Sequence, residues 1–103
     1  MRKSSTHPIQ DKAEVSIDFP DKFYIGSFSR DAKFEALAED DGLLIKLTRT
    51  GENRRQVAIH LHHQLLADIL SEWAVSLANE PPMQESHRET LLAALAHVEG
   101  ALR

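Results

Sequence analysis

The segment VAIHLHHQLLADIL, residues 57–70, decides the fold, because its hydrophobic period changes part of the way along. Val57, Ile59 and Leu61 alternate with more polar residues, which is typical of a β-strand with one buried face. From about residue 63 the apolar residues instead follow the 3.6-residue period of a helix: Leu65, Leu66, Ile69, Leu70, Trp73 and Leu77. The sequence therefore predicts a strand that passes directly into a long amphipathic helix.

Several short alternating stretches precede this segment and are separated by turn-forming residues. They are VSIDF at 15–19, FYIGSFS at 23–29 and LLIKLTRT at 43–50. The stretch KFEALAED at 33–40 fits strand spacing and helix spacing equally well. The Asp41–Gly42 pair that follows is a strong hairpin signal and needs a strand on each side, so it favours a strand at 33–40. We therefore expect an antiparallel meander of four to five strands over about residues 15–62.

Two helices are expected after the meander. Asn79, Pro81 and Pro82 end the first helix, at about 63–79. The sequence SHRE at 86–89 resembles a capping box, with Ser86 as the N-cap of a second helix at about 86–102. That helix carries a narrow apolar stripe: Leu91, Leu95, Val98 and Leu102.

The fold class that these patterns predict is α+β, with both helices packed on one face of the sheet. We expect residues 1–13, which are polar and aperiodic, to form a mobile N-terminal tail. Residues 14–103 are then expected to form a single domain.

Composition excludes several classes of protein. The 103 residues include no cysteine, which excludes disulfides, thiol nucleophiles and cysteine-ligated metals. No apolar run approaches the length of a membrane span, and the basic start is not followed by the apolar region of a secretory signal. We therefore expect a cytoplasmic protein with no membrane partner.

Charge is unevenly distributed in this acidic chain, whose net charge is −4. Residues 42–60 hold four basic side chains (Lys46, Arg49, Arg54 and Arg55) against one acidic side chain, Glu52. This basic segment fits either an anion-facing strand pair or salt bridges to acidic neighbours.

The histidines suggest a metal only weakly. His60 and His62 are two residues apart on a strand, so both point to one face and have a geometry suited to a shared metal. The sequence supplies no third ligand in a recognisable pattern, and a half-exposed histidine more often makes ordinary hydrogen bonds. His63 at the helix start has no evident catalytic partner, and Asp40–Asp41 fits turn chemistry better than a carboxylate pair. We assign no metal ligands, cofactor or catalytic residues from the sequence.

The sheet face opposite the apolar face is the strongest candidate for binding. By strand parity it carries Tyr24, Phe28, Lys46, Gln56 and His60, and Arg54 has the same parity. Exposed aromatic rings beside basic residues bind single-stranded nucleic acid by stacking and charge. The same residue types are enriched where two protein chains meet, so an interface between copies is the alternative.

The order of elements also resembles a known group. Four meandering strands followed at once by a long helix, over about residues 23–79, are similar to the repeat unit of the Whirly, Pur-alpha and transcriptional-coactivator single-stranded-DNA-binding domains. The join RRQVAIHLHHQLLADIL, residues 54–70, resembles that group's basic fourth strand running into its helix. The resemblance implies a dimer that binds nucleic acid through Tyr24, Phe28, Lys46 and Arg54.

Together these features favour a small, non-enzymatic, homodimeric binding module. Single-stranded nucleic-acid binding by the outer sheet face is the alternative function. A histidine-based metal-binding protein is the lesser alternative.

Overall fold

The computed structural model describes residues 6–103. Within that range the strands are β1 His7–Pro8, β2 Ala13–Phe19, β3 Lys22–Phe28, β4 Ala32–Glu39, β5 Gly42–Arg49 and β6 Arg55–His62. The helices α1 His63–Ala78 and α2 Glu85–Leu102 follow β6. All strand pairs are antiparallel, so the predicted α+β class, with strands first and helices last, is confirmed.

The strands form two sheets, where the sequence predicted one meander. A four-stranded sheet has the order β1-β4-β5-β6, and β2 and β3 form a separate two-stranded hairpin. A single meander would pair β3 with β4, and these two strands do not pair. The edge of β4 is taken instead by β1, where His7 lies opposite Phe34, and the amide of Ile9 donates to the carbonyl of Ala32 at 3.0 Å.

The predicted mobile tail at 1–13 includes β1 and the start of β2. Residues 1–5 of that tail lie outside the described residues. Ile9 is buried and His7–Pro8 pair with β4, so part of this polar segment contributes to the sheet and to the core.

The register of β4, β5 and β6 confirms that residues 33–40 form a strand and that one sheet face is apolar. Phe34, Leu47 and Val57 are opposite one another across the three strands, and Ala36, Ile45 and Ile59 form the next row. Successive residues on a strand point to opposite faces, so these two rows share a face. Lys46, Gln56 and His60 have the other parity and occupy the opposite face of this sheet.

The core is centred on three buried side chains, Ile9, Phe28 and Ala32. Partly buried side chains pack against it: Ala13, Val15, Leu47 and Val57. The expectation that Phe28 lies on the outer face is wrong, because only 1% of it is exposed. The β2–β3 hairpin is a separate ladder that packs against the apolar face of the sheet at this point, so strand parity does not carry over from β3 to β4.

The chain divides within α1 into two compact units, one ending at Asp68 and one formed by Ile69–Arg103. The first helix ends as expected: the amide of Asn79 donates to the carbonyl of Ser76 at 3.1 Å, and its side chain donates to the carbonyl of Val75 at 3.1 Å. Two prolines follow and prevent the helix from continuing.

The second helix does not begin with the expected capping box. Gln84 is its N-cap and makes no side-chain capping hydrogen bond, and Glu85 is already helical. Ser86 therefore lies inside the first turn, where its carbonyl accepts a hydrogen bond from the Thr90 hydroxyl. Glu85 pairs instead with Arg88, one turn further along the helix.

Neither α1 nor α2 contains a buried residue in the single chain. Packing of the helices on the sheet stays a prediction. Among the described residues, neither helix has the length and apolarity needed to cross a membrane.

Candidate functional site

The structure brings together only part of the predicted nucleic-acid face. Lys46, Gln56 and His60 share one face of the four-stranded sheet, because their partners across β5 and β6 are Ala58, Thr48 and Leu44. Arg54 is exposed in the turn just before β6. These four residues supply charge and hydrogen-bonding groups, and their one aromatic ring is the His60 imidazole.

The two predicted aromatic residues lie on the β2–β3 hairpin, which is a ladder separate from that sheet, and Tyr24 lines a cavity that Gln56 also lines. Tyr24 is 52% exposed and packs edge-to-face on Phe19, with ring centroids 6.1 Å apart. The Lys22 ammonium lies 5.6 Å from the Tyr24 ring centroid. Phe28 belongs to the core and offers no exposed ring on which a base could stack.

Two basic side chains of the segment 42–60 make contacts within the chain. The Arg49 guanidinium forms a salt bridge to Asp31 at 3.0 Å. Arg55 lies over β3, where a Cβ added to Gly26 would come within 2.8 Å of its guanidinium. These contacts favour the salt-bridge interpretation for Arg49 and an internal packing role for Arg55.

A second group of side chains, Asp41, His60 and His62, converges at the β4–β5 turn; we call it the turn cluster. The Nε2 atom of His60 lies 3.0 Å from Oδ1 of Asp41, and Nε2 of His62 lies 3.8 Å from Oδ2. The two imidazole centroids are 4.8 Å apart. One ligand atom from each residue lies within 4.8 Å of the others, and all three residues are exposed.

Backbone contacts hold the turn cluster in position against β6. Asp40 and Asp41 form the two-residue turn between β4 and β5, and Gly42 pairs with His62 of β6. A Cβ on Gly42 would overlap the Leu61 carbonyl oxygen, so glycine allows the turn to lie directly against β6. The amide of His63 then donates to the carbonyl of Asp41 at 3.1 Å, which ties the turn to the start of α1.

The pKa of the Asp41 carboxylate is altered by its surroundings, including the two histidines. Partial desolvation of the Asp41 carboxylate is the largest single contribution and raises its pKa. The charges of His60 and His62, with hydrogen bonds from the backbone amide of Asp41 and from His60, together outweigh it. The pKa of Asp41 therefore lies below its ordinary value, so the carboxylate stays ionised to more acidic pH than an isolated aspartate.

Sequence reasoning found both histidines of the turn cluster but missed Asp41 as their partner. It correctly placed Asp41 in a turn and assigned the residue no further role. The missing signal was the strand register: β5 and β6 are equal in length, so the start of β5 lies opposite the end of β6, and Gly42 faces His62. The residue before Gly42 is thereby brought beside the histidine pair.

The other notable surface is apolar and lies on the helices. In Ile69–Arg103 nine large apolar residues are exposed: Ile69, Leu70, Trp73, Val75, Leu77, Leu92, Leu95, Val98 and Leu102. Single exposed apolar residues are ordinary, but Leu95, Val98 and Leu102 recur along one side of α2, a pattern that is typical of an interaction surface.

Comparison with protein-family models, with curated proteins and with solved structures gives no match. The resemblance to the Whirly and Pur-alpha group therefore stays a prediction. The fold and the two surfaces define a small α+β protein, and its function has to be argued from those surfaces.

Proposed function

We propose that the chain is a non-enzymatic, homodimeric binding module that assembles through the apolar faces of its helices. The observation that carries the proposal is the exposure of these faces in the single chain. Among the described residues the buried apolar side chains are Ile9, Phe28 and Ala32, and none of them lies in a helix. A domain of this size normally gains its stability by burying far more apolar surface.

The α2 helix gives the strongest support for a partner. Leu91, Leu95, Val98 and Leu102 are spaced four, three and four residues apart, so they lie along one side of the helix. Leu95 is 45% exposed and Val98 is 53% exposed. Most of the stability of a helix in a protein comes from packing of its apolar side, so an unpacked stripe supports the presence of a partner.

The two helices do not cover each other's apolar residues. Within Ile69–Arg103, α1 and α2 do not pack along their lengths, and Trp73 and Leu77 of α1 also remain exposed, at 38% and 41%. Two copies of the chain bring together four such helices, which is the number that forms the core of a common bundle.

The exposed stripe of α2 fits a second copy of the chain as the partner. Leu95, Val98 and Leu102 share one side of the helix and are 45%, 53% and 82% exposed, so they offer apolar side chains of the kind that the core of an interface buries. A symmetric dimer needs only one such surface, because the same patch is used twice.

The non-enzymatic part of the proposal is supported by the absence of a sheltered polar site. Across residues 6–103 no polar or charged side chain is buried. Catalytic groups act most strongly in sites that exclude water, where charges are poorly screened.

The proposal is tested by measuring the mass of the full chain in solution. Light scattering after gel filtration is expected to give twice the 11.6 kDa chain mass at micromolar concentration. Leu95→Glu places a charge in the stripe and is expected to halve the measured mass. Ala93→Glu lies on the opposite side of α2 and is expected to leave the dimer intact.

Circular dichroism of both variants checks that α2 is still formed. A wild-type chain that stays monomeric at about 100 μM, a concentration well above the micromolar range of ordinary specific complexes, would overturn the proposal. So would a Leu95→Glu variant that remains as dimeric as Ala93→Glu.

A further inference from the structure

We propose that the turn cluster, Asp41, His60 and His62, is a binding site for a divalent transition-metal ion of the Zn²⁺ type. The site goes beyond the proposed dimer, since it lies in the strand-containing unit and uses none of the apolar helix residues. Its evidence is the convergence of two imidazole nitrogens and one carboxylate at a single point of the surface.

The spacing of the ligand atoms is close to what a metal requires. Ligands held at about 2.1 Å from a tetrahedral ion lie roughly 3.4 Å from one another. The Nε2 atom of His60 lies 3.0 Å from Oδ1 of Asp41, and Nε2 of His62 lies 3.8 Å from Oδ2, so these distances fall on either side of that value. The full set of three ligand atoms lies within 4.8 Å and must draw closer around an ion, and the exposure of all three side chains leaves them room to rotate.

The donor set selects the class of metal. Two imidazoles and one carboxylate suit Zn²⁺, Ni²⁺, Cu²⁺ or Fe²⁺, whereas Mg²⁺ and Ca²⁺ prefer oxygen ligands throughout. Three protein ligands on an exposed surface leave at least one coordination position for water. Both histidines approach through Nε2, so each is expected to carry its proton on Nδ1 when the metal is bound.

The backbone holds the ligands in place before any ion arrives. His60 and His62 are fixed two residues apart on β6, whose whole length is paired with β5. Asp41 is fixed by the close approach of Gly42 to β6 and by the hydrogen bond from the His63 amide. Such preorganisation lowers the entropy lost when a ligand binds.

A simple ion pair explains the arrangement less well than a metal does. One imidazolium is enough to pair with Asp41, and an exposed pair of this kind contributes little to stability. A second imidazolium, with ring centroids only 4.8 Å apart, adds repulsion between like charges. A bound cation instead uses both rings as neutral ligands and compensates the carboxylate.

The test uses the full chain without an affinity tag, freed of metal with a chelator and titrated with Zn²⁺ by calorimetry. We expect one Zn²⁺ per chain and a shift of the His60 and His62 ring resonances in NMR spectra. Asp41→Asn, His60→Gln and His62→Gln are each expected to weaken binding at least about tenfold, because each removes one ligand. His63→Gln is the matched control, since this neighbour lies outside the turn cluster and keeps its backbone amide; its affinity is expected to change less than about twofold.

All four substitutions are at exposed positions, and circular dichroism verifies that each variant is folded. Absence of saturable binding at about 100 μM Zn²⁺ would overturn the site, because even weak specific sites saturate in that range. Equal loss of affinity in His63→Gln and His60→Gln would also overturn it, since that result indicates general histidine binding. The dimer proposal is unaffected by either outcome, because its test measures mass in the absence of metal.

Discussion

Replacing Phe28 by alanine tests whether this residue belongs to the core or to a binding surface. Phe28 is 1% exposed and packs with Ile9 and Ala32, while Leu47 and Val57 cover it from the sheet. Removal of a buried phenylalanine ring costs about 3–5 kcal/mol of unfolding free energy, through lost burial and the cavity left behind. Small domains have about 5–15 kcal/mol in total, so the variant is expected to lose a large part of its stability.

Phe23 provides a matched control on the same strand. It has the opposite parity to Phe28 and is 56% exposed, so Phe23→Ala is expected to cost less than about 1 kcal/mol. In melting temperature, the Phe28 variant is expected to fall by on the order of 20 °C and the Phe23 variant by a few degrees.

The assay is chemical and thermal unfolding followed by circular dichroism at one protein concentration, because assembly of copies makes apparent stability depend on concentration. If Phe28→Ala does not fold, Phe28→Leu is measured instead and is expected to lose about 1–2 kcal/mol. Equal costs for the variants at positions 28 and 23 would refute the placement of Phe28 in the core.

Three further predictions concern the turn cluster and the sheet face. Gly42→Ala is expected to cost about 2 kcal/mol of unfolding free energy, measured by urea titration, because its Cβ would strike the backbone of β6; an unchanged midpoint would contradict the close approach. His60→Gln is expected to raise the pKa of Asp41 in a carboxyl NMR titration, since it removes an interaction that lowers this pKa and leaves the desolvation that raises it. In the wild-type chain the stabilisation linked to Asp41 is present above the ordinary aspartate pKa and is lost as pH falls through the lowered value. Oligo-dT is expected to show no saturable anisotropy change at physiological salt, because Tyr24 and Lys46 lie on different sheets; salt-dependent binding that is weakened in Tyr24→Ala and Lys46→Ala would contradict this.

Local pattern was sufficient to predict most of the secondary structure. The change of period after residue 62 located the junction of β6 and α1, and Asp41–Gly42 identified the hairpin that makes residues 33–40 a strand. That hairpin does not use a left-handed backbone at its turn. No described non-glycine residue has a positive φ, and Gly42 is needed for its close approach to β6.

The candidate sites depended more strongly on pairing between distant segments. The sequence placed His60 and His62 on one strand face, but Asp41 joined them only through the register of β5 against β6. In the same way, Phe28 has a parity that fits an outer face, and only the packing of the β2–β3 hairpin on the sheet buries it.

The sequence by itself thus determined the α+β class, the strand-to-helix junction and the apolar stripes, because each of these is encoded by the spacing of neighbouring residues. The tertiary structure alone decided that β1 takes the edge of β4, that β2 and β3 form their own ladder, and that a turn aspartate meets two strand histidines. Strands with the same alternating pattern can pair in several orders that satisfy local preferences equally. The choice among them is made by which long-range pairing buries Phe28 and Ile9 and satisfies the backbone of β4.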